Sequence, residues 1–190
     1  GGTKNPQVDA VIALAPDLVL ANEEENRAVD LAALRAAGLT VEVTHIRTVD
    51  QGLAELRRVL RLLHVAPDWL AEAEAVWAEP FVGSRRRAAV PIWRRPWMAV
   101  GCDTFTGDVL ARLGIDNVLV DSAERYPRFD PAELPPVDLV VLPDEPYEFT
   151  AADGPEAFGE HCVLVSGRHL TWYGPSLVEA RAALERQLQP

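Results

Sequence analysis

One short pattern occurs twice in the chain and constrains its fold more than any other feature. The runs Asp17–Ala21 and Asp138–Leu142 are apolar after the aspartate, and an acidic, polar loop follows each of them. After the first aspartate a β-branched run begins 24 residues on, at Val41, and after the second one begins 25 residues on, at Val163. Short apolar strands that alternate with helical stretches indicate βαβ units and a mostly parallel sheet. The matched spacing therefore predicts two related α/β lobes.

The remaining elements follow from the same patterns. We expect an N-terminal lobe over 1–66, a connecting helix within 67–87 and a C-terminal lobe over 88–190. Pro67 lies near the first turn of the predicted connecting helix, and Pro80 should end or kink it. The run Arg85–Arg87 is expected to be a solvated helix end. The other predicted helices are Pro6–Leu14, Gln51–Leu63, Thr106–Leu113 and Leu177–Leu188.

The two predicted lobes are unequal. The second has a strand at Ala88–Trp93, a helix closed by Gly114 and a strand at Asn117–Val120 before its Asp138 strand, whereas the first has sixteen residues before Asp17. By internal symmetry, we expect about one βαβ unit to be missing from an N-terminally truncated first lobe.

Composition excludes some classes of function. The formal net charge of −11 over 190 residues argues against nucleic-acid binding, which needs a basic face. No apolar run approaches the roughly 20 residues that a membrane span requires. The two cysteines, Cys102 and Cys162, have no metal-binding spacing, so both free and paired states stay open.

Large rings and arginines gather where the predicted strands end. Ligands of open parallel sheets bind outside the carboxyl ends of the strands. Rings there would stack on a planar ligand, and arginines would neutralise its acidic groups. The predicted ligand-binding residues are Trp93, Arg94, Arg95, Trp97, Tyr147, Phe149, Arg168, His169, Trp172 and Tyr173. A structural interpretation also stays open, in which Trp93 and Trp97 seal the sheet and the arginines cap helices.

Enzyme motifs are absent from the strand ends: we find no glycine-rich phosphate loop, nucleophile elbow or zinc-binding helix. His45 and His169 occupy equivalent places in the two lobes, but two ligands are fewer than a tetrahedral metal site requires. The alternative function is a doubly wound α/β enzyme with Glu145, His169 or Asp103 as acid or base.

Two acidic clusters also occupy matching places. Glu23, Glu24 and Glu25 follow the first strand, and Asp144 and Glu145 follow its counterpart. Two negative patches would suit docking on a surface with two basic sites. They would equally suit the first turns of helices, where carboxylates are favoured.

Several motifs are familiar. Gly1–Pro6 together with Pro16–Ala21 resembles the first lobe of the class III substrate-binding proteins of ABC transporters, the helical-backbone receptors for cobalamin, iron-siderophores and haem. Five more motifs resemble one branch of that family, often labelled cobalamin-binding: Ile92–Trp97, Gly101–Phe105, Arg125–Pro127, Glu145–Phe149 and Trp172–Gly174.

This resemblance implies two α/β lobes joined by one long helix, with a corrinoid or ferric siderophore held between the lobes and delivered to an ABC permease without catalysis. From the residues themselves we expect no cofactor and no metal ion. The resemblance also implies that an acidic residue of each lobe pairs with permease arginines, for which Glu23–Glu25 and Glu145 are the candidates. A haem-binding receptor of the same fold is an alternative, with Met98 or Tyr173 as the axial ligand.

Members of this family normally begin with a strand and a helix before the first motif, so the resemblance agrees with the truncation expected from the internal symmetry. It implies a periplasmic protein or an extracellular lipoprotein, in contact with the membrane only through the permease or a lipid anchor. A cytoplasmic location stays open.

Overall fold

The computed structural model describes residues 2–159 and 161–189, so Gly1 of the first quoted motif lies outside the described residues. The fold is α/β with parallel sheets, as predicted. The helices are α1 (Val8–Ala13), α2 (Ala28–Ala36), α3 (Val49–Leu62), α4 (Trp69–Ala78), α5 (Phe105–Arg112), α6 (Gly167–Thr171) and α7 (Leu177–Gln187). The strands are β1 (Val19–Asn22), β2 (Val41–Thr44), β3 (Arg86–Ala89), β4 (Pro91–Trp93), β5 (Met98–Ala99), β6 (Ile115–Asn117), β7 (Leu139–Pro143) and β8 (Cys162–Val165).

The chain forms two compact units, residues 1–45 and residues 46–190. In the first unit β1 and β2 pair in parallel, with Val19 opposite Val41 and Asn22 opposite Thr44. Helix α2 makes the crossover between these strands and packs against α1 and β2. The predicted first pair of parallel strands is therefore confirmed.

The second unit contains a four-stranded parallel sheet with the order β6-β3-β7-β8. All five residues of β7 are buried, as expected of a central parallel strand covered on both faces. The parallel pairing of β7 with β8 matches that of β1 with β2, so the repeated sequence pattern does correspond to a repeated strand pair. Helix α2 joins the first pair, whereas the described residues between β7 and β8 contain the short 3₁₀ turn Pro155–Ala157 and no α-helix.

Helices α3, α4, α5 and α7 supply much of the second unit's core. Val49 and Leu53 of α3 are buried in the same apolar cluster as Phe105 of α5. Trp77 of α4 is 2% exposed, and its indole Nε1 donates a hydrogen bond to the Leu177 carbonyl at the start of α7, at 2.9 Å. Because α3 packs into this core, the compact units divide at residue 45, earlier than the predicted lobe boundary at 66. That α4 connects two lobes stays a prediction.

Several local expectations are corrected. Helix α4 ends at Ala78 with Glu79 already extended, as expected of a helix that Pro80 ends, but the predicted connecting segment 67–87 is helical only over Trp69–Ala78. The Arg85–Arg87 run is not a helix end, because β3 begins at Arg86. The predicted strand over 88–93 is two strands, since β4 leaves the parallel sheet and pairs antiparallel with β5.

Two further corrections concern the ends of elements near the sheet edge. The strand predicted at Asn117–Val120 runs instead over Ile115–Asn117, directly after Gly114, whose φ of +77° closes α5. The segment that carries Arg168 and His169, which follows the predicted Val163 strand, forms the short helix α6, which was not among the predicted helices. Ser166 begins this helix, and its hydroxyl accepts a hydrogen bond from the His169 backbone N–H.

Candidate functional site

The carboxyl ends of β7 and β8 lie side by side, because the two strands are parallel neighbours. Two contacts join the segments that follow them. The Gly167 backbone N–H donates to Asp144 Oδ1 at 2.6 Å. A Cβ at position 167 would lie 2.6 Å from the Glu145 backbone nitrogen, so only glycine permits this approach. The sequence thus brings the loop after β7 and helix α6 together at one edge of the sheet.

Trp172 lies at this edge with its ring in solvent. Trp172 is 59% exposed, and its indole Nε1 donates a hydrogen bond to Glu145 Oε2 at 2.8 Å. A large ring that stays exposed while its polar atom is held has a fixed face available for contact. Glu145, predicted to dock on the permease, therefore contacts a residue that was predicted to bind the ligand.

Trp97 has a different environment. Its ring stacks on Phe149 at 6.0 Å with an interplanar angle of 4°, and it meets Phe158 edge-on at 5.0 Å. Phe129 lies 6.1 Å away, and the Arg94 guanidinium lies 5.1 Å from the ring centroid. Trp97 is thus built into an aromatic cluster, which favours the interpretation of this residue as a structural one. An open depression of about 530 Å³ adjoins Trp97, Phe129 and the 3₁₀ turn after Asp130.

Trp93 and Tyr147 form a second contact between the β4–β5 hairpin and the loop after β7. Their ring centroids are 5.7 Å apart at 79°, an edge-to-face pair. Tyr147 in turn lies 4.7 Å from Phe149. Trp93 is 43% exposed, so it presents ring surface to solvent as Trp172 does.

Arg94 is held by two carboxylates that sequence reasoning missed. Its guanidinium forms ion pairs with Asp153 and, at 2.5 Å, with Glu156, and its side chain is 16% exposed. Asp153 also accepts a hydrogen bond from the Tyr147 hydroxyl at 2.5 Å. We call Arg94, Tyr147, Asp153 and Glu156 the arginine cluster. The charge of Arg94, predicted to neutralise a ligand, is already balanced within the protein.

These contacts shift the ionisation of the cluster. The hydrogen bond from Tyr147, followed by the charge of Arg94, lowers the pKa of Asp153 against the opposing effect of burial. The same hydrogen bond, together with burial, raises the pKa of Tyr147. Backbone hydrogen bonds, first from the Gly154 N–H, lower the pKa of Glu156, and Arg94 adds to this. At neutral pH the carboxylates are therefore charged acceptors and the phenol is a neutral donor.

The other predicted ligand-binding residues are placed separately. Tyr173 packs edge-on against Phe105 at 5.5 Å, beside the main core. His169 Nε2 lies 3.5 Å from Glu179 Oε1, while its buried Nδ1 has no hydrogen-bond partner among residues 2–159 and 161–189. Arg95 and Arg168 are exposed. The structure thus gathers Trp93, Arg94, Trp97, Tyr147 and Phe149 into one cluster and leaves the rest outside it.

The acidic run of the first unit lies in a turn after β1. The turn is closed by Asn26, whose Oδ1 accepts from the Asn22 N–H at 2.8 Å, and by Asn22, whose Oδ1 accepts from the Glu24 N–H at 2.9 Å. Glu23 pairs with His45 at 2.9 Å, and Glu25 accepts from the Thr3 hydroxyl at 3.0 Å. These carboxylates precede α2, so they are not part of its first turn.

The residues proposed for acid–base chemistry have separate partners. Asp103 pairs with Arg47 beside a depression of about 310 Å³, His169 lies near Glu179, and Glu145 holds Trp172. Within the described part of the chain, no group of three or more His, Cys, Asp or Glu side chains could hold a metal ion. Cys102 and Cys162 are free thiols, and burial raises the pKa of Cys162.

Asp153, Glu156, Phe129 and Phe158 were not predicted from sequence. The two carboxylates lie in a glycine- and proline-bearing turn with no recognisable motif, and their partner Arg94 is distant along the chain. The only available signal was the excess of aromatic residues near the strand ends. No helix among the described residues is long and apolar enough to cross a membrane.

Comparisons with known proteins identify this architecture. Neither a protein-family model nor a curated protein sequence matches the chain. Among solved structures, the periplasmic vitamin B12 binding protein BtuF of Vibrio cholerae is similar, with a TM-score of 0.75 and 16% identity over 98% of this chain and 79% of that one. The periplasmic heme-binding protein BhuT, solved with two hemes, has a TM-score of 0.74 and 24% identity over 98% of this chain and 80% of its own.

A periplasmic heme-binding protein from Pseudomonas aeruginosa is similar too, with a TM-score of 0.72 and 22% identity over 96% of this chain and 75% of that one. At these identities the likeness establishes a common fold. The predicted resemblance is therefore confirmed at the level of architecture: this chain has the fold of the class III periplasmic binding proteins.

Proposed function

We propose that this protein is the substrate-binding component of an ABC importer, which binds a corrinoid or a ferric siderophore and delivers it to a permease without chemical turnover. The observation that carries the proposal is the presence of exposed tryptophans at the carboxyl edge of a parallel sheet whose fold is shared with vitamin B12 and heme binders. That edge is where ligands of such sheets bind.

Trp172 and Trp93 are the ring surfaces that this proposal uses. Both are rigid, broad and amphipathic, and each is held from one side by a protein contact, Trp172 by Glu145 and Trp93 by Tyr147. A ligand would add a contact to rings that already have fixed positions, so little side-chain entropy would be lost on binding. Arg95 and Arg168, both exposed, are the proposed partners of acidic groups on the ligand.

Docking on the permease is the second part of the proposal. Glu23, Glu24 and Glu25 are presented by a turn that their neighbours fix through hydrogen bonds, which supports a defined acidic surface. Glu145 would contribute the acidic residue of the second unit. Because Glu145 also holds Trp172, docking through this carboxylate and ligand contact through that ring would be coupled. A periplasmic or lipid-anchored location follows from this role.

Haem is the second candidate ligand, since two of the similar structures are heme-binding proteins. The axial ligands considered from sequence are less suited to it. Tyr173, one of the two, packs its ring against Phe105. An enzymatic role has less support, because Asp103, His169 and Glu145 each face a different partner rather than one another.

Equilibrium titration tests the proposal. The protein is titrated with cyanocobalamin, a ferric catecholate siderophore and haemin, and binding is followed by tryptophan fluorescence and by calorimetry. We expect saturable binding of one ligand class with unit stoichiometry, and weaker binding by a Trp172→Ala variant that keeps its fold. If none of the three binds saturably, the proposed function is wrong.

A further inference from the structure

The arginine cluster joins three separate parts of the second unit. Arg94 belongs to the β4–β5 hairpin, Tyr147 to the loop after β7, and Asp153 and Glu156 to the turn around the 3₁₀ segment. Nothing in the sequence suggested this association, and it lies directly beside the exposed ring of Trp93, the last residue of β4 and the one before Arg94 in the chain.

Arg94 is poorly suited to bind a ligand anion. Two carboxylates already share its single positive charge, and its guanidinium covers the Trp97 ring. A ligand carboxylate would have to displace Asp153 or Glu156 and would enter a position that holds two negative charges for one positive charge. Repulsion between like charges opposes that exchange. The arginine is therefore committed to a contact within the protein.

Arg94 and Trp93 are neighbours in the chain, and a series of side-chain contacts also connects them. Asp153 accepts from both Arg94 and the Tyr147 hydroxyl, and the Tyr147 ring meets Trp93 edge-on at 5.7 Å. Each step fixes the next, because a phenol with its hydroxyl bound cannot turn away from the indole. We propose that Arg94 is a positioning residue, which through Asp153 and Tyr147 orients the exposed ring of Trp93 for ligand contact.

The backbone of the turn that carries Asp153 and Glu156 supports their contact with Arg94. Gly154 has φ of +126°, and its N–H donates to Glu156 Oε2 at 2.6 Å, which holds the Glu156 carboxylate whose other oxygen pairs with the Arg94 guanidinium. The pKa of Asp153 is lowered and that of Tyr147 raised by their mutual hydrogen bond. The connection is therefore intact across the neutral pH range.

The inference rests on the proposed function only where it assigns Trp93 a ligand contact, so a ligand-free measurement tests the orientation separately. The protein is labelled with 5-fluorotryptophan, which gives one ¹⁹F signal for each of its five tryptophans. The Trp93 signal is assigned with Trp93→Phe. Two variants break the route: Tyr147→Phe removes only the hydroxyl, and Arg94→Gln removes the charge.

We expect both variants to shift and broaden the Trp93 signal while the signal of buried Trp77 stays in place. Two controls match the substitutions. Arg85→Gln breaks another arginine–aspartate pair of the same unit, with Asp116, and Tyr126→Phe removes another tyrosine hydroxyl. Neither should move the Trp93 signal. An unchanged Trp93 signal in both Tyr147→Phe and Arg94→Gln would overturn the proposal.

A binding arm uses cyanocobalamin and haemin as probes. For whichever probe binds, we expect Tyr147→Phe to weaken affinity up to about tenfold, as for one well-oriented aromatic contact, with the controls unaffected. Unchanged affinity in Tyr147→Phe, with the Trp93 signal displaced, would overturn the assigned ligand contact. If neither probe binds the unmodified protein, the proposed function fails, and the ¹⁹F signals alone decide whether Arg94 positions Trp93.

Discussion

Trp97 lies in the turn of the β4–β5 hairpin and Trp172 directly follows α6, and the structure gives these two rings opposite environments. Trp97 is surrounded by Phe149, Phe158, Phe129 and Arg94, whereas Trp172 is 59% exposed and is held through its indole nitrogen by Glu145. The residue type is the same, and the sequence placed both rings just beyond predicted strands. What differs is whether distant segments supply apolar partners, and this difference separates a ring that builds the scaffold from a ring that is free to bind.

The largest expected effect is on stability. Trp97→Ala would remove the centre of the aromatic cluster and leave a cavity, so we expect a loss of about 3 kcal/mol in the free energy of unfolding. Trp172→Ala should change it by less than about 0.5 kcal/mol, because the ring is mostly in solvent. Urea denaturation followed by circular dichroism measures both values. Equal losses in the two variants would remove the distinction between scaffold and binding ring.

A glycine substitution tests the packing of the same cluster by adding an atom instead of removing a ring. A Cβ at Gly154 would lie 2.7 Å from Phe149 Cδ1 at a φ of +126°, so Gly154→Ala should destabilise the protein by about 2 kcal/mol. Gly159 also has a positive φ, but a Cβ there meets nothing within 4 Å. Gly159→Ala should therefore cost about 1 kcal/mol, through backbone strain alone. If thermal melting shows the same loss for both, Phe149 is not tightly packed on this turn.

For ligand affinity we expect the opposite order of effects, with the larger loss from substitution of Trp172 and the smaller from substitution of Trp97. For a ligand identified by titration, Trp172→Ala should weaken binding about tenfold, the value of one aromatic contact. Trp97→Phe keeps an aromatic ring in the cluster and should leave the affinity unchanged. Calorimetry on both variants measures this. Weaker binding by Trp97→Phe than by Trp172→Ala would move the ligand contact to the packed ring.

The smallest expected effect is the pH dependence of the arginine cluster. The pKa of Asp153 is lowered in the folded protein, so its contribution is present above the unfolded value of about 3.9 and is lost as pH falls through the folded value. The pKa of Tyr147 is raised, so its contribution is present below about 10 and is lost as pH rises through the folded value. Trp172 and Glu145 have no part in this cluster.

Stability curves of wild type and Asp153→Asn between pH 2 and pH 7 measure the acidic limb. We expect the separation between the two curves to shrink as pH falls below about 3.9, and to disappear only once pH is below the lowered folded pKa of Asp153, where the aspartate is protonated in both states. A constant separation over the whole range would show that the charge of Asp153 does not stabilise the fold.

Many of the strands and helices could be predicted from sequence, because hydrophobic periodicity and turn residues determine secondary structure locally. The strand pairs β1–β2 and β7–β8 and the helices α3, α5 and α7 lie close to their predicted places. The β4–β5 hairpin and the start of β3 at Arg86 could not be predicted from sequence. For β3 the reason is that three consecutive arginines resemble a helix end unless their partners are known. Arg86 donates to the Leu188 carbonyl, more than a hundred positions away.

The candidate site was predicted by residue type but not by role. Exposed and packed tryptophans have the same local signal, and Asp153 and Glu156 form contacts with Arg94 that only the folded chain brings together. The role of a side chain at this edge depends on partners that are distant in sequence, and periodicity contains no information about them.

The most direct test of the account is ¹⁹F spectroscopy of the 5-fluorotryptophan protein during titration with the ligand that binds. We predict that the Trp172 and Trp93 signals shift together and saturate with the same affinity as calorimetry gives, while the Trp77 signal stays fixed. Saturable binding that leaves both the Trp172 and Trp93 signals unmoved would contradict the claim that the strand-end loops of the second unit bind the ligand.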